Sequence, residues 1–196
     1  QTCALPISPE GALDMAIEIV INAKTQRPGV CNAIETVLIH SEVATPFLKK
    51  LAPRLAGKKV QLRADDRAFA QLSSLYYTPL QRASEADWST EFLDLVLAVG
   101  VVDSAVNAIE HIERFGSHHS DCIVTSNART AEQFLRDVDS ATVYWNASTR
   151  FTDGGEFGFG AEIGISTDRL HARGPMALEE LTSYKYVIRG DGQIRA

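Results

Sequence analysis

The chain has 196 residues, of which 45% are apolar and 22% are charged, proportions that fit one soluble globular domain and exclude intrinsic disorder. It contains 19 basic and 25 acidic residues and no long basic run, so we expect no nucleic-acid and no membrane partner. The longest apolar stretch, residues 95–102, is too short to cross a bilayer. Three widely spaced cysteines, Cys3, Cys31 and Cys122, predict neither a disulfide framework nor a zinc site and favour a cytoplasmic location.

The first residues are unusual for a protein sequence. The chain does not begin with Met, and residues 1–7, QTCALPI, resemble the in-frame translation of a sequencing-library adapter. We therefore expect residues 1–7 to be foreign to the protein, with no role for Cys3, and the native sequence to begin at Ser8.

The first half of the sequence alternates between helical and extended patterns. Apolar residues at helical spacing predict a first helix over residues 12–23. The segments that follow are a strand at 36–39, a helix at 41–55, an extended segment at 59–62 and a helix at 67–75. Residues 76–90 have no clear period and are expected to form a loop.

The second half continues the alternation. Residues 92–102 form a near-continuous apolar run, typical of a strand buried on both faces. After it come a helix at 104–115, a strand at 121–125, a helix at 128–138 capped by Asn127 and a strand at 141–146. This alternation predicts an α/β fold, with a largely parallel sheet flanked by helices.

Glycine is concentrated near the end of the chain, because eight of the 13 glycines lie between Gly154 and Gly192. Glycine disfavours a regular helix and lets the backbone approach a ligand closely. We expect residues 148–176 to be the least regular part of the chain. The β-type composition of residues 182–190 predicts a late strand that pairs outside the main sheet.

Cys31 follows a Pro-Gly turn and precedes an apolar strand. Two interpretations stay open from composition alone: a small buried side chain, or a thiolate nucleophile with the backbone N–H groups of Cys31 and Asn32 as oxyanion donors. Arg27 is near enough in sequence to lower the thiol pKa. Cys122 is expected to pack inside a strand.

Other common site patterns are absent from the sequence. His118, His119 and Asp121 fit a solvated turn better than a metal centre, so we expect no metal. No serine nucleophile motif, phosphate-binding loop or dinucleotide-binding glycine pattern occurs.

Three segments resemble one known family. They are residues 22–33, NAKTQRPGVCNA, residues 143–158, VYWNASTRFTDGGEFG, and the pair 160–167, GAEIGIST, and 170–176, LHARGPM. In this order they are similar to the gamma-glutamyl phosphate reductases, the proline-biosynthesis members of the aldehyde dehydrogenase superfamily. The resemblance extends over about residues 13–195, with Gly100 in place of an expected lysine and Trp145 in place of a smaller β-branched residue.

The resemblance implies a reaction. In this family a thiolate attacks the acyl phosphate of L-glutamate 5-phosphate, phosphate leaves, and NADPH reduces the thioester to L-glutamate 5-semialdehyde. Cys31 matches the nucleophile. Glu91 falls where the superfamily places an acidic residue against the nicotinamide ribose, and an ordinary strand-edge glutamate is its alternative.

Substrate contacts are implied for residues after the strand at 141–146, at the edge where parallel sheets usually bind ligands. The candidates are Asn146, Ser148, Thr149 and Arg150, with His171 and Arg173 as weaker candidates. Arg150 can bind a carboxylate or phosphate in bidentate fashion. Its alternative is a structural salt bridge.

The resemblance also implies a domain organisation. Residues 8–180 correspond to the catalytic domain and residues 181–196 to a C-terminal oligomerisation strand, which implies a homo-oligomer. The N-terminal cofactor-binding domain is missing, so we expect the fragment to be inactive alone. Two alternatives remain: an aldehyde-oxidising dehydrogenase of the same superfamily, and a non-catalytic βαβ binding module.

Overall fold

The computed structural model describes residues 3–9 and 12–195. Its helices are α1 (Leu13–Thr25), α2 (Ser41–Gly57), α3 (Asp66–Ser74), α4 (Ala105–Phe115) and α5 (Ala128–Asp137). Its strands are β1 (Cys3–Ile7), β2 (Ile34–His40), β3 (Gln61–Ala64), β4 (Leu80–Arg82), β5 (Val96–Val102), β6 (Ser120–Ile123), β7 (Thr142–Trp145), β8 (Gly164–Ser166) and β9 (Gly174–Met176). Two short 3₁₀ turns cover Glu85–Ser89 and Thr149–Phe151.

The main sheet is parallel. Five strands lie in the order β1-β2-β5-β3-β4, and β6 and β7 form a parallel pair. That pair adjoins β1, because Ser8 N donates to Val124 O at 3.0 Å and Val124 N donates to Pro6 O at 2.9 Å. The amino ends of all seven strands therefore lie along one edge, and the predicted parallel α/β sheet is confirmed.

Two apolar clusters cover the two faces of the sheet. The larger cluster joins α1, α2 and α3 to β2, β3 and β5, with Phe47, Leu48 and Leu51 fully buried. The smaller one lies under α4 and α5 and includes Phe134. Neighbouring residues of β6 divide between them, Cys122 in the larger and Ile123 in the smaller, as the alternation of a strand requires. Cys122 packs inside the core, as its sequence context predicts.

Side-chain caps start four of the described helices, and in α2 the cap is His40 Nδ1, which accepts from Glu42 N at 3.3 Å. Asn127 Oδ1 accepts from Arg129 N at 3.0 Å and from Thr130 N at 3.2 Å, which is the cap predicted for α5. Asp65 caps α3 at 2.7 Å and Ser104 caps α4 at 3.1 Å. These caps satisfy backbone N–H groups that have no partner inside the helix.

The structure differs from the predicted elements in two places near the start and middle of the chain. Residues 3–7, which were expected to be foreign, form β1 next to β2; their origin stays a prediction. Residues 76–90, expected to be a loop, contain β4. This strand has three residues, too few for an alternating pattern to be detected.

The end of the chain differs too. The described residues after Met176 contain no strand in this single chain, and the strand expected at 182–190, which would pair with another chain, stays a prediction. An extended segment without a neighbouring strand has no backbone partners, so it does not become a strand alone. Residues 148–176 contain a 3₁₀ turn and the β8–β9 hairpin, so the tail after Met176 is less regular than the segment we expected to be least regular.

Candidate active site

Cys31 lies in the loop between α1 and β2, at the amino edge of the sheet. Its side chain is partly buried, and Ala33 N closes a turn around it by donating to Val30 O at 3.0 Å. Ligands of parallel α/β sheets usually lie at the carboxyl edge. Cys31 therefore lies at the edge opposite the end of β7, and the substrate contacts expected after β7 stay a prediction.

The surroundings of Cys31 disfavour its thiolate. Burial raises the pKa of the thiol, the nearby carboxylates of Glu162 and Glu91 raise it further, and the backbone N–H of Cys31 itself lowers it. Arg27, expected to lower this pKa, acts on Arg150 instead, where it helps burial to lower the guanidinium pKa. In this chain the group at Cys31 is therefore mainly a thiol at neutral pH.

Asn32 joins the Cys31 loop to the segment after β7. Its side-chain Nδ2 donates to Thr152 O at 2.8 Å and to Arg150 O at 3.4 Å. Thr149 Oγ1 donates to Asn32 O at 2.7 Å, and both residues are buried. Thr149, a candidate substrate contact, thus stabilises the loop, while the backbone N–H groups of Cys31 and Asn32 stay predicted oxyanion donors.

The backbone of Arg150 is joined to the Cys31 loop by this connection. Its Nε donates to Gln26 Oε1 at 2.9 Å, so the partner of this nitrogen is an amide and not the carboxylate of a structural salt bridge. Cys31 and Asp153 both act to raise the guanidinium pKa, against the larger effects of burial and Arg27. Arg150 is therefore a half-buried cation whose charge is influenced by Asp153 and Cys31.

Two other candidates after β7 have structural contacts. Ser148 is buried and its side chain accepts from Arg150 N at 3.3 Å, which shapes the turn that presents Arg150. The side chain of Asn146 forms two hydrogen bonds with the backbone of Thr125. Thr125 N donates to Asn146 Oδ1 and Asn146 Nδ2 donates to Thr125 O, both at 2.9 Å. Because Thr125 follows β6, the side chain of Asn146 lies at the carboxyl edge, opposite Cys31.

His171 and Arg173 are not brought to Cys31. Arg173 forms an ion pair with Asp139 at 2.8 Å and donates to its backbone oxygen at 2.9 Å. Asp139 precedes β7, three strands away from β2. His171 is exposed and its charge acts on Glu180. Their predicted role in substrate binding stays a prediction.

Two carboxylates, Glu91 and Glu162, lie near Cys31. Only Glu91 was expected from the sequence. Glu91 precedes β5 at the amino edge. Glu162 has the larger effect on the thiol pKa and accepts a hydrogen bond from Gly154 N at 2.9 Å. A Cβ at residue 154 would lie 2.4 Å from Ala161 O, so only glycine permits this close approach. An acidic residue among glycines was the signal that could have identified Glu162.

A buried ion pair below the site was also missed. Lys24 Nζ lies 2.6 Å from Glu35 Oε2, with side-chain exposures of 0% and 1%. Lys24 ends α1 and Glu35 begins β2, so the pair joins the two ends of the Cys31 loop. Leu93 N donates to Glu35 Oε1 at 3.4 Å, which connects the segment that contains Glu91. Burial outweighs the effect of Lys24 and raises the pKa of Glu35 to about 7.

Both departures from the family pattern are accommodated by packing. Gly100 in β5 leaves space that Trp88 and Leu38 fill, since a Cβ there would lie 3.2–3.3 Å from their side chains. Trp145 Nε1 donates to Thr125 O at 2.8 Å. Neither residue contacts the Cys31 loop through these interactions.

Neither a metal-binding cluster nor a membrane-spanning helix occurs among the residues that the structure describes. Within residues 3–9 and 12–195, no group of three or more histidine, cysteine or acidic side chains is arranged to hold a metal ion. Over the same residues, no helix combines the length and apolar character needed to cross a membrane.

Comparison with known proteins identifies similar sequences and folds, although no family model matches the chain. The gamma-glutamyl phosphate reductases of Moorella thermoacetica and Enterococcus faecalis are 58% and 56% identical over 193 and 194 residues, or 98% and 99% of this chain. The chain spans 45% of the length of each.

Solved structures show the same similarity. The gamma-glutamyl phosphate reductase of Thermotoga maritima is 45% identical with a TM-score of 0.94, covering 100% of this chain and 46% of that one. An acetylating aldehyde dehydrogenase from Geobacillus thermoglucosidasius, 13% identical with a TM-score of 0.71, covers 98% of this chain and 52% of its own and shares the fold. The resemblance to the gamma-glutamyl phosphate reductase family, predicted from three sequence segments, is thereby confirmed over the length of this chain.

Proposed function

We propose that this chain is the catalytic part of an enzyme that reduces L-glutamate 5-phosphate to L-glutamate 5-semialdehyde in proline biosynthesis, in the cytoplasm. One observation supports this most: the Cys31 loop is fastened through Asn32 to the segment after β7 that carries Arg150, by hydrogen bonds of 2.8 Å and 2.7 Å. The relatives that share over half of these residues bear the name of that enzyme.

In the proposed reaction, Cys31 Sγ forms a bond to the acyl carbon and the bond from that carbon to the phosphate oxygen breaks. The thiol proton is transferred to the phosphate, which leaves as hydrogen phosphate, and because phosphate leaves readily no protein acid is required. Arg150 attracts the anionic substrate, and the backbone N–H groups of Cys31 and Asn32 stabilise charge on the acyl oxygen. The thioester that results has the same oxidation level as the substrate.

Reduction of this thioester requires a nicotinamide cofactor, which we propose to be NADPH. The carboxylate of Glu91 is near enough to Cys31 to affect its pKa, so it fits a position against the ribose hydroxyl groups, from which it would accept hydrogen bonds. NADPH supplies the hydride when bound. Asn32 and the Lys24–Glu35 pair keep the sulfur and the Glu91 segment in place for that transfer.

Oxidation of an aldehyde is the second candidate. This reaction needs a general base to hydrolyse the thioester, and Glu162 places a carboxylate near Cys31. A Glu162→Gln variant separates the two candidates, because it blocks hydrolysis but not phosphate release. A binding module without catalysis, the third alternative, requires no reaction at Cys31.

The test joins this chain to the N-terminal half of the Thermotoga maritima reductase. The isolated chain should show no turnover with L-glutamate 5-phosphate and NADPH, because positioning contributes about 7–11 kcal/mol to such reactions and Glu91 alone supplies one or two ribose hydrogen bonds of about 1 kcal/mol each. We expect the fused chain to reduce the substrate, with NADPH oxidation followed by absorbance.

Cys31→Ala in the fused chain should lower the rate by more than about a thousandfold, while Cys122→Ala is the matched control at a buried cysteine. Activity that persists in the Cys31→Ala fusion would rule out the nucleophile. Turnover by the isolated chain would show instead that no further half is needed.

A further inference from the structure

A row of hydrogen bonds begins at the amino edge of the sheet, where β6 starts. His119 Nδ1 lies 2.8 Å from Ser120 Oγ, and Ser120 Oγ lies 2.7 Å from Thr152 Oγ1. The row continues to the Tyr144 hydroxyl, 2.8 Å from Thr152 Oγ1. Each hydroxyl group can donate one hydrogen bond and accept another, so the imidazole and the three hydroxyl groups are continuously bonded. These four residues are called the His119 network below.

Three members of the His119 network are fully buried. His119, which was expected in a solvated turn, is 0% exposed, as are Ser120 and Thr152, while Tyr144 is partly buried. Burial lowers the pKa of His119 to about 4, so the imidazole is neutral at neutral pH and adds no buried charge. Burying polar groups costs free energy that their hydrogen bonds offset. When such groups are bonded to one another, they hold their surroundings in a single arrangement.

Thr152 connects the His119 network to the residue after Cys31. Its Oγ1 belongs to the network, and its carbonyl oxygen accepts from Asn32 Nδ2 at 2.8 Å. Thr152 N donates to Thr149 O at 3.0 Å, and Thr149 Oγ1 donates to Asn32 O at 2.7 Å. The side chain and the backbone carbonyl of Asn32 are therefore both held by the segment that the network fixes.

This arrangement restricts the peptide group between Cys31 and Asn32. Because Asn32 is bonded at two points, its backbone cannot rotate without breaking a buried hydrogen bond. Its N–H is one of the two donors proposed for the acyl oxygen, and such donors are effective when they are oriented before the reaction. A displacement of about 1 Å in a reacting geometry can lower a rate about a hundredfold.

We propose that the His119 network positions the Cys31 loop for acyl transfer: through Thr152 it orients the backbone N–H of Asn32 toward the acyl oxygen. The proposal rests on the function proposed for Cys31. Attack of the sulfur on a carbonyl group places negative charge on the carbonyl oxygen and needs this donor. Displacement of a halide from a saturated carbon forms no oxyanion and does not need it.

Two reagents separate the orientation of this donor from the reactivity of the sulfur in this chain. With p-nitrophenyl acetate, Cys31 Sγ forms a bond to the ester carbonyl carbon and p-nitrophenolate leaves. With iodoacetamide, the sulfur forms a bond to the CH₂ carbon and iodide leaves. Both reactions use the thiolate, whose proton has passed to solvent, so the ratio of the two rates cancels differences in thiol pKa. Peptide mass spectrometry measures both rates at Cys31.

We expect Thr152→Val and Ser120→Ala each to lower the ratio of acetylation to alkylation about tenfold, a smaller effect than the loss of about 10²–10³-fold when an oxyanion donor is removed. Tyr144→Phe, which keeps the ring of the partly buried member, should act in the same direction. Thr152→Ser keeps the hydroxyl group and should keep the ratio.

Thr36→Val is the matched control. Thr36 in β2 is also buried, at 2% exposed, but its Oγ1 has no hydrogen-bond partner among the residues that the structure describes. The ratio in this variant should equal that of the unsubstituted chain, because the substitution is the same as in Thr152→Val but lies outside the His119 network.

An unchanged ratio in Thr152→Val, Ser120→Ala and Tyr144→Phe would overturn the positioning role. An equal fall in Thr36→Val would also overturn it, since the loss of any buried hydroxyl group would then have the same effect. If Cys31 of the unsubstituted chain is alkylated but not acetylated, the oxyanion donors of the proposed function are contradicted instead.

Discussion

At the scale of single residues, the charges around Cys31 oppose its reactivity. Glu162 and Glu91 add to the effect of burial, and all three raise the thiol pKa. Asn32 and Thr149 meanwhile fix the loop geometry through buried hydrogen bonds. The loop is thus ordered by hydrogen bonds, although burial and the two carboxylates disfavour the thiolate.

The pH dependence of alkylation tests this account. Only the thiolate reacts with iodoacetamide, and a free cysteine has a pKa of about 8.5. Because the pKa of Cys31 is raised, its alkylation rate should reach half of the plateau value at a higher pH than the rate of a free cysteine does. Glu162→Gln removes a negative charge, lowers the pKa and should raise the rate at neutral pH about threefold, the effect of half a pKa unit. Asp168→Asn, at an exposed carboxylate between β8 and β9, is the matched control. An unchanged profile in Glu162→Gln would show that Glu162 does not influence the sulfur.

At the scale of elements, the Lys24–Glu35 pair connects the end of α1 to the start of β2. Glu35→Gln removes the carboxylate that lies 2.6 Å from the buried Lys24 ammonium, and removing one member of a buried ion pair typically destabilises a protein by about 3–5 kcal/mol. Urea unfolding at pH 8 should detect this loss.

The matched comparison is Asp14→Asn, which breaks the pair with Lys50, where the side chains are 53% and 86% exposed. Exposed pairs contribute about 0–1 kcal/mol, so this variant should unfold near the unsubstituted midpoint. Equal losses in the two variants would contradict a special role for the buried pair.

The elements also show what sequence patterns can predict. Strands and helices with a long buried face, such as β5 and α5, follow from periodicity and from the Asn127 cap. The site was predictable only in part. Cys31 was identified by a local motif, but Glu162 lies 131 positions from it along the chain, and its approach depends on the backbone of Gly154. Contacts between distant segments leave no periodic pattern in a sequence.

At the scale of the whole molecule, the tail leaves apolar side chains in solvent. Tyr184, Tyr186 and Ile188 are 84%, 82% and 90% exposed, and the segment has the composition of a strand. We expect it to pair with another copy of the chain, since a partner strand would satisfy its backbone groups and cover these side chains.

Sedimentation equilibrium should therefore show self-association of the full chain. A chain in which residues 181–196 are replaced by a glycine–serine segment of equal length should remain monomeric. The same association state in both chains would exclude the tail as the interface.

The position of β1 has a consequence for the integrity of the sheet. This strand lies between β2 and β6 and bonds to both through main-chain groups, which do not distinguish one side chain from another. Only its buried positions, such as Ala4 and Ile7, restrict which residues fit. Without this strand, two unpaired parallel edges would face each other across a gap one strand wide, about 10 Å between β2 and β6. Such a gap would accept an extended peptide whose apolar residues match Ala4 and Ile7 in size, so a different segment with that pattern could replace β1 by strand exchange.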